Sequence, residues 1–222
     1  MKGARWPLAL AALLAAGPAA PAPRKKKDPP APIAPLRLAQ PTLSRIDVVL
    51  RRDAALVTVE LTFGRGAHQG PLEAFFSYGH PGLPRAFEAE LLPVTAGAPG
   101  PAATARGRPL TTSHALQAPA AASLVLGARG AAGQHLRVPG EALDEALAPS
   151  GLAALRLRWV HALPAAGPRG VLVHAGLPGR ALPLGVVNLR TDEGRLERGA
   201  AERCGAPVEQ GALCFEAELA DK

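Results

Sequence analysis

The sequence predicts an all-β fold, an antiparallel β-sandwich with one short helix. Short segments in which apolar and polar residues alternate recur at spacings of about 10 to 15 residues, which is typical of strands with one buried face. The chain holds 24 glycines and 24 prolines, and many of them fall between these segments, where they favour turns. No regular alternation of strand and helix patterns is present, so a parallel βαβ fold is excluded.

The segment 43–63 predicts the first hairpin, because each half alternates apolar and polar residues. Only an even-numbered loop sets apolar against apolar residues, and a four-residue loop at Arg52–Ala55 suits a type I turn better than a two-residue loop at Asp53–Ala54. The expected pairs are Leu50 with Val57, Val48 with Val59, Ile46 with Leu61 and, as an unfavourable like-charge pair, Asp47 with Glu60.

The same reasoning assigns the remaining elements. Residues 86–94 fit a strand or a short helix, and the alternation of Phe87, Ala89 and Leu91 favours the strand. The strands at 154–163 and 170–175 are expected to pair as a hairpin. Residues 141–148 form the helix, since acidic residues begin it and Pro149 with Gly151 ends it. Strands are predicted at 72–78, 86–94, 123–126, 134–138, 154–163, 170–175, 184–189 and 213–219.

The chain divides into three parts. Lys2 and Arg5 precede an apolar run of about ten residues, which predicts a secretory signal peptide over 1–19. Residues 20–41 are rich in proline and basic residues and predict an extended linker. The β-sandwich body covers 42–222 as one domain, or as two tandem or duplicated sandwiches with a division near 95–110.

A short internal repeat bears on the choice between one domain and two. His80 to Pro84 and His174 to Pro178 share the pattern H-x-G-L-P, each follows an apolar strand, and each lies downstream of a Gly-Pro pair. A duplicated sandwich predicts such a repeat. Chance repetition in a chain rich in glycine, proline, leucine and alanine explains it as well.

Charge argues against nucleic-acid binding. The net charge is +7, but six of the 25 basic residues precede Asp28, which leaves 19 basic and 17 acidic residues after it. Aromatic residues make up 4% of the chain, so the stacking surface that nucleic-acid binding requires is not predicted. The basic run at Arg24, Lys25, Lys26 and Lys27 predicts at most a weak electrostatic contact with an anionic membrane.

The two cysteines, Cys204 and Cys214, lie close together in a chain expected to be exported, so a disulfide is predicted. A crosslink that closes about ten residues contributes roughly 2 to 3 kcal/mol. It clips the last hairpin and does not create a core.

Candidate chemistry is sparse. The sequence contains no H-E-x-x-H, G-x-S-x-G, S-x-x-K or phosphate-binding glycine loop, so we predict no catalytic residue and no cofactor. The candidate metal ligands are His80, His161 and His174, because the predicted hairpin brings the last two together. Alternatively, His161 is a hydrogen-bonded core histidine beside Trp159, and His174 ends a strand.

These observations support one main hypothesis and one alternative. The main hypothesis is an exported, periplasmic or extracellular, non-enzymatic β-sandwich that binds an unknown protein or envelope polymer. The alternative is a hydrolase or a metal-dependent enzyme that uses scattered histidines. Convergence of these histidines in a pocket favours the alternative, and their dispersal over separate faces favours binding.

Overall fold

A computed structural model of the protein describes residues 39–218. Gaps in this range fall at 65, 67–69, 79–83, 99, 103, 164–168, 175, 179, 192–194 and 198–211. The predicted signal peptide and Cys204 therefore lie outside the described residues, as does the side chain of Cys214, and the predicted disulfide stays a prediction.

The described residues are mostly strand with one short helix, which confirms the all-β, sandwich-like fold. None of the described helices is long and apolar enough to cross a membrane. The elements are β1 (Ala39–Leu50), β2 (Ala54–Gly64), β3 (Leu72–Ser77), β4 (Ala86–Pro93), β5 (Arg108–Pro109), β6 (Thr112–Ala115), β7 (Leu124–Leu126), β8 (Gly133–Val138), α1 (Gly140–Leu147), β9 (Leu152–Ala162), β10 (Arg169–His174), β11 (Gly176–Leu177), β12 (Arg180–Ala181), β13 (Leu184–Thr191), β14 (Arg195–Glu197) and β15 (Ala212–Glu218).

Two larger sheets form the sandwich. The first has six strands in the order β13-β1-β2-β9-β4-β5, and the second has four in the order β6-β8-β3-β7. Smaller sheets join β10-β15-β14 and β11-β12. Most pairings are antiparallel, whereas β1 with β13 and β3 with β7 run parallel. The six-stranded sheet combines strands from both sides of residues 95–110.

The core lies between the two larger sheets because their facing sides carry the apolar members of the alternating patterns. Phe76 of β3 contacts Trp159 of β9, with ring centroids 4.7 Å apart, and Phe87 of β4, at 5.8 Å. Helix α1 buries Leu143 and Leu147 and packs against β4 and β9. The opposite face of the six-stranded sheet is left for polar side chains.

The first hairpin has an even loop, as predicted, but the predicted register is wrong by two residues. Leu50 lies opposite Ala55 instead of Val57, and Asp47 lies opposite Thr58. A shift of two residues keeps every side chain on the same face, so the apolar pattern does not distinguish the two registers. The observed register removes the like-charge pair and sets Glu60 opposite Arg45.

The predicted hairpin between residues 154–163 and 170–175 is also wrong. Strand β9 pairs with β2 on one side and β4 on the other, whereas β10 pairs with β15 in a different sheet. Both long edges of β9 are taken by strands that precede it in the chain, so β10 has no edge of β9 to join. His161 and His174 therefore belong to different sheets.

Candidate functional site

The outer face of the six-stranded sheet carries a row of alternating charges. Alternation along each strand turns the even-numbered residues of β2, β4 and β9 away from the core. The register then sets Arg45, Glu60, Arg156 and Glu90 side by side on β1, β2, β9 and β4. Each cation has a carboxylate on a neighbouring strand, which is the favourable cross-strand arrangement.

Arg156 is the centre of this row and is only 2% exposed. Its Nε donates to Glu60 Oε1 at 2.6 Å, and its Nη1 lies 3.7 Å from Glu90 Oε2. The same guanidinium donates to two main-chain carbonyls, from Nη1 to Ala105 at 2.6 Å and from Nη2 to Ala102 at 3.0 Å. The planar fork of arginine makes this set of contacts possible, and lysine does not reproduce it.

The two carbonyls belong to the cap loop, residues 94–107, which connects β4 to β5. Gly100 in this loop lies against Ser44, since a Cβ added there would be 2.9 Å from that of Ser44. Below it, Thr62 Oγ1 donates to Ser44 Oγ, which in turn donates to the Glu60 carbonyl, both at 3.1 Å. The cap loop therefore closes one end of the outer face and buries the ion pair of Arg156 with Glu60.

Beside the cap loop the outer face stays open and forms a groove of about 640 Å³. We call this feature the arginine groove, because four of its ten lining residues are arginines. It is lined by Arg45, Asp47, Thr58, Glu60, Arg156, Arg158, Val187, Asn188, Leu189 and Arg190.

The carboxylates of the groove are already engaged. Asp47 accepts from Asn188 Nδ2 at 2.5 Å and lies 2.9 Å from Arg45 Nε. Glu60 accepts from Arg156. Both carboxylates are thus occupied by contacts within the protein, and neither is arranged as a general base facing a substrate.

Two arginines of the groove keep charge available for a ligand. The side chain of Arg158 is 41% exposed and contacts Glu90 Oε1 at 3.4 Å with one nitrogen, Nη1. Arg190 is exposed, and no ion pair joins it to another described residue. The groove is therefore suited to a carboxylate, phosphate or sulfate, which arginine contacts with two parallel hydrogen bonds.

The histidines predicted as metal ligands are placed elsewhere. His161 is buried at the end of β9, where its ring and that of Trp159 form an edge-to-face contact with centroids 6.3 Å apart. His174 is buried beside Ser77 and Gly127. Neither lines the arginine groove, and His80 lies outside the described residues. Within the described part of the chain, no group of three or more His, Cys, Asp or Glu residues is placed to hold a metal ion.

A second polar cluster lies at one end of the four-stranded sheet. Gln134 Nε2 donates to the hydroxyl of Tyr78 at 2.6 Å, and His114 stacks on the same ring, with centroids 5.9 Å apart. Burial raises the pKa of Tyr78 above its usual value, and the hydrogen bond to Gln134 partly offsets this. The residues of this cluster do not line the arginine groove, so we treat it as a weaker candidate for a site.

The charged row was not predicted from the sequence, because the predicted register placed Asp47 opposite Glu60. The signal was present, since arginines and glutamates share the outward positions of adjacent strands.

Comparisons of the chain with protein-family models, with curated proteins and with solved structures found no match.

Proposed function

We propose that the chain is an exported, non-enzymatic binding protein that holds an anionic group of an envelope component or partner protein in the arginine groove. The observation that carries this proposal is the exposure of Arg158 and Arg190 in a groove whose two carboxylates, Asp47 and Glu60, are engaged by other described residues. The export itself rests on the signal peptide expected from the sequence.

The surroundings of the groove support binding without chemistry. Its carboxylates are held by arginine and asparagine, and the two described histidines that sequence reasoning considered as ligands are buried in other parts of the fold. The sheet fixes the main chain that carries the cations, so binding of an anion orders their side chains and not the backbone.

Isothermal titration calorimetry of the full chain tests the proposal with three soluble polymers: polyphosphate, polyglutamate and neutral dextran. We expect the two anionic polymers to bind in a salt-dependent manner and dextran not to bind. The double variant Arg158→Gln with Arg190→Gln should bind about two- to thirtyfold more weakly, because each partly exposed pair contributes roughly 0.2 to 1 kcal/mol.

Arg52→Gln is the matched control, since Arg52 is exposed in the loop between β1 and β2 and does not line the groove. It removes one positive charge, half of the change in the double variant, and should leave the affinity unchanged. Equal affinity of the double variant and the unmodified chain for both anionic polymers would contradict the proposal.

A further inference from the structure

Strand β13 forms one edge of the six-stranded sheet, next to the arginine groove. It pairs with β1 on one side, and no described strand pairs with its other side. An open strand edge presents main-chain donors and acceptors to any extended chain that approaches it.

The main-chain groups at this edge follow from one hydrogen bond. The Pro183 carbonyl accepts from the Leu43 amide, so it points toward β1. Main-chain direction alternates along a strand, and the N–H and C=O groups of Val186, Asn188 and Arg190 therefore point away from β1. Within the described residues no main-chain hydrogen bond occupies this side.

The composition of β13 does not protect the edge. Natural edge strands are usually guarded by lysine, proline or a bulge. From Leu184 to Leu189 this strand carries no charge, and Leu184 and Val186 are 40% and 53% exposed. Such a surface is typical of proteins that bind a partner by strand addition.

The side chains of the edge specify the chemistry of the partner. Val186, Asn188 and Arg190 alternate on the outer face, so an added strand would place its own alternate residues beside an apolar, an amide and a cationic side chain. We infer that β13 pairs with an extended acidic peptide segment of a partner protein, which sets an apolar residue beside Val186 and a carboxylate beside Arg190. This inference rests on the proposed function and names the ligand class of the same groove.

Charge distinguishes this partner from a second copy of the chain. Residues 184–191 contain one arginine and no acidic residue. Pairing two copies of β13 would bring a second cation to the interface and no carboxylate from residues 184–191, so this pairing supplies no counter-charge to Arg190. An acidic peptide supplies both the main-chain groups and the missing charge.

Fluorescence anisotropy of the full chain with labelled eight-residue peptides tests the inference. In the first probe every second residue is threonine, and the four residues between are two valines followed by two glutamates. A second probe reverses this order, because an added strand can pair with β13 in either direction. We expect one of them to bind. Replacing both glutamates by glutamine should weaken binding about three- to fivefold. N-methylation of the amides that face β13 should weaken it more than about tenfold, since several hydrogen bonds are lost.

A charge reversal provides the decisive control. The Arg190→Glu variant should no longer bind the acidic peptide and should bind a peptide with two lysines in place of the glutamates. The Arg52→Gln variant should bind the acidic peptide as the unmodified chain does. Failure of both probes, insensitivity to N-methylation, or dimerisation through β13 seen by sedimentation would overturn the inference. If both probes fail while polyphosphate and polyglutamate still bind through Arg158 and Arg190, the edge pairing is refuted and the groove is not. If no anion binds, the proposed function itself is refuted.

Discussion

Replacing Arg156 by methionine should destabilise the protein strongly, although the residue lies on the outer face of a sheet. Arg156→Met leaves Glu60, which is 2% exposed, without the cation 2.6 Å from its carboxylate. Breaking a buried ion pair by removing one partner costs about 3 to 5 kcal/mol, whereas a typical domain has only about 5 to 15 kcal/mol in total. Urea unfolding, followed by tryptophan fluorescence, measures the free energy of unfolding.

The double variant Glu60→Met with Arg156→Met separates the ion pair from the packing around it. Replacing a buried pair by apolar residues of similar volume is often nearly neutral, so the double variant should be more stable than Arg156→Met alone. The carbonyls of Ala102 and Ala105 still lose their donors, at about 1 kcal/mol each. Because Ala102 is exposed, its carbonyl regains hydrogen bonds from water. We therefore expect a net cost of about 1 to 2 kcal/mol for the double variant.

Arg158→Met is the matched control, since its side chain is 41% exposed and its closest carboxylate is 3.4 Å away. Its effect on the free energy of unfolding should stay below about 1 kcal/mol. The reasoning is refuted if Arg156→Met costs no more than this control, or if the double variant costs the sum of its two single variants.

Three further predictions concern other parts of the fold. Gly185→Ala should destabilise the protein by about 1 to 3 kcal/mol in the same urea assay, because the new Cβ would collide with the main-chain carbonyl of Ser44; a stabilised variant would contradict the close approach of β13 to β1. Tyr78 is the only tyrosine, so tyrosinate absorbance should show it ionising above its usual pKa. Because the folded state holds this proton more tightly, the contribution of Tyr78 to the free energy of unfolding is fully present below the unfolded pKa of about 10 and declines as the pH rises beyond it. Tyr78→Phe should remove that part of the decline. An unchanged pH profile would refute the assignment. Mass spectrometry with and without reduction should show a Cys204–Cys214 disulfide in the chain purified without reductant, and two alkylated thiols before reduction would disprove it.

The sequence predicted the strands and the faces that they bury because side-chain alternation is a local property. Val57, Val59 and Trp159 point to the core as their positions in the pattern indicate. The short strands β5, β11 and β12 were not predicted, since two residues hold no recognisable period. Alternation therefore identifies long strands well and short bridges poorly.

The pairing partners could not be predicted in the same way. A register shift of two residues preserves every apolar contact type, so only the charges at Arg45, Asp47 and Glu60 distinguished the observed hairpin from the predicted one. The neighbours of β9 come from β2 and β4, far earlier in the chain, and nothing in the local pattern of β9 indicates this.

The candidate site was hidden for a related reason. It exists only when β1, β2, β9 and β13 lie side by side, because each strand contributes two polar residues to the groove. The cap loop gave no side-chain signal, since it contributes main-chain carbonyls to Arg156. Histidines are candidate ligands by residue type alone, whereas the arginines form a candidate site only through the strand register.

The parallel pairing of β1 with β13 has a consequence for synthesis. The two strands are 141 positions apart, so at about 5 to 20 residues per second the ribosome needs roughly 7 to 28 s after β1 before β13 exists. Until then the edge of β1 that later pairs with β13 has no native partner strand. The residues along this edge include the apolar Ile46 and Val48. The nascent chain is most vulnerable to wrong strand pairing in this interval, and truncation before residue 184 would make that vulnerability permanent.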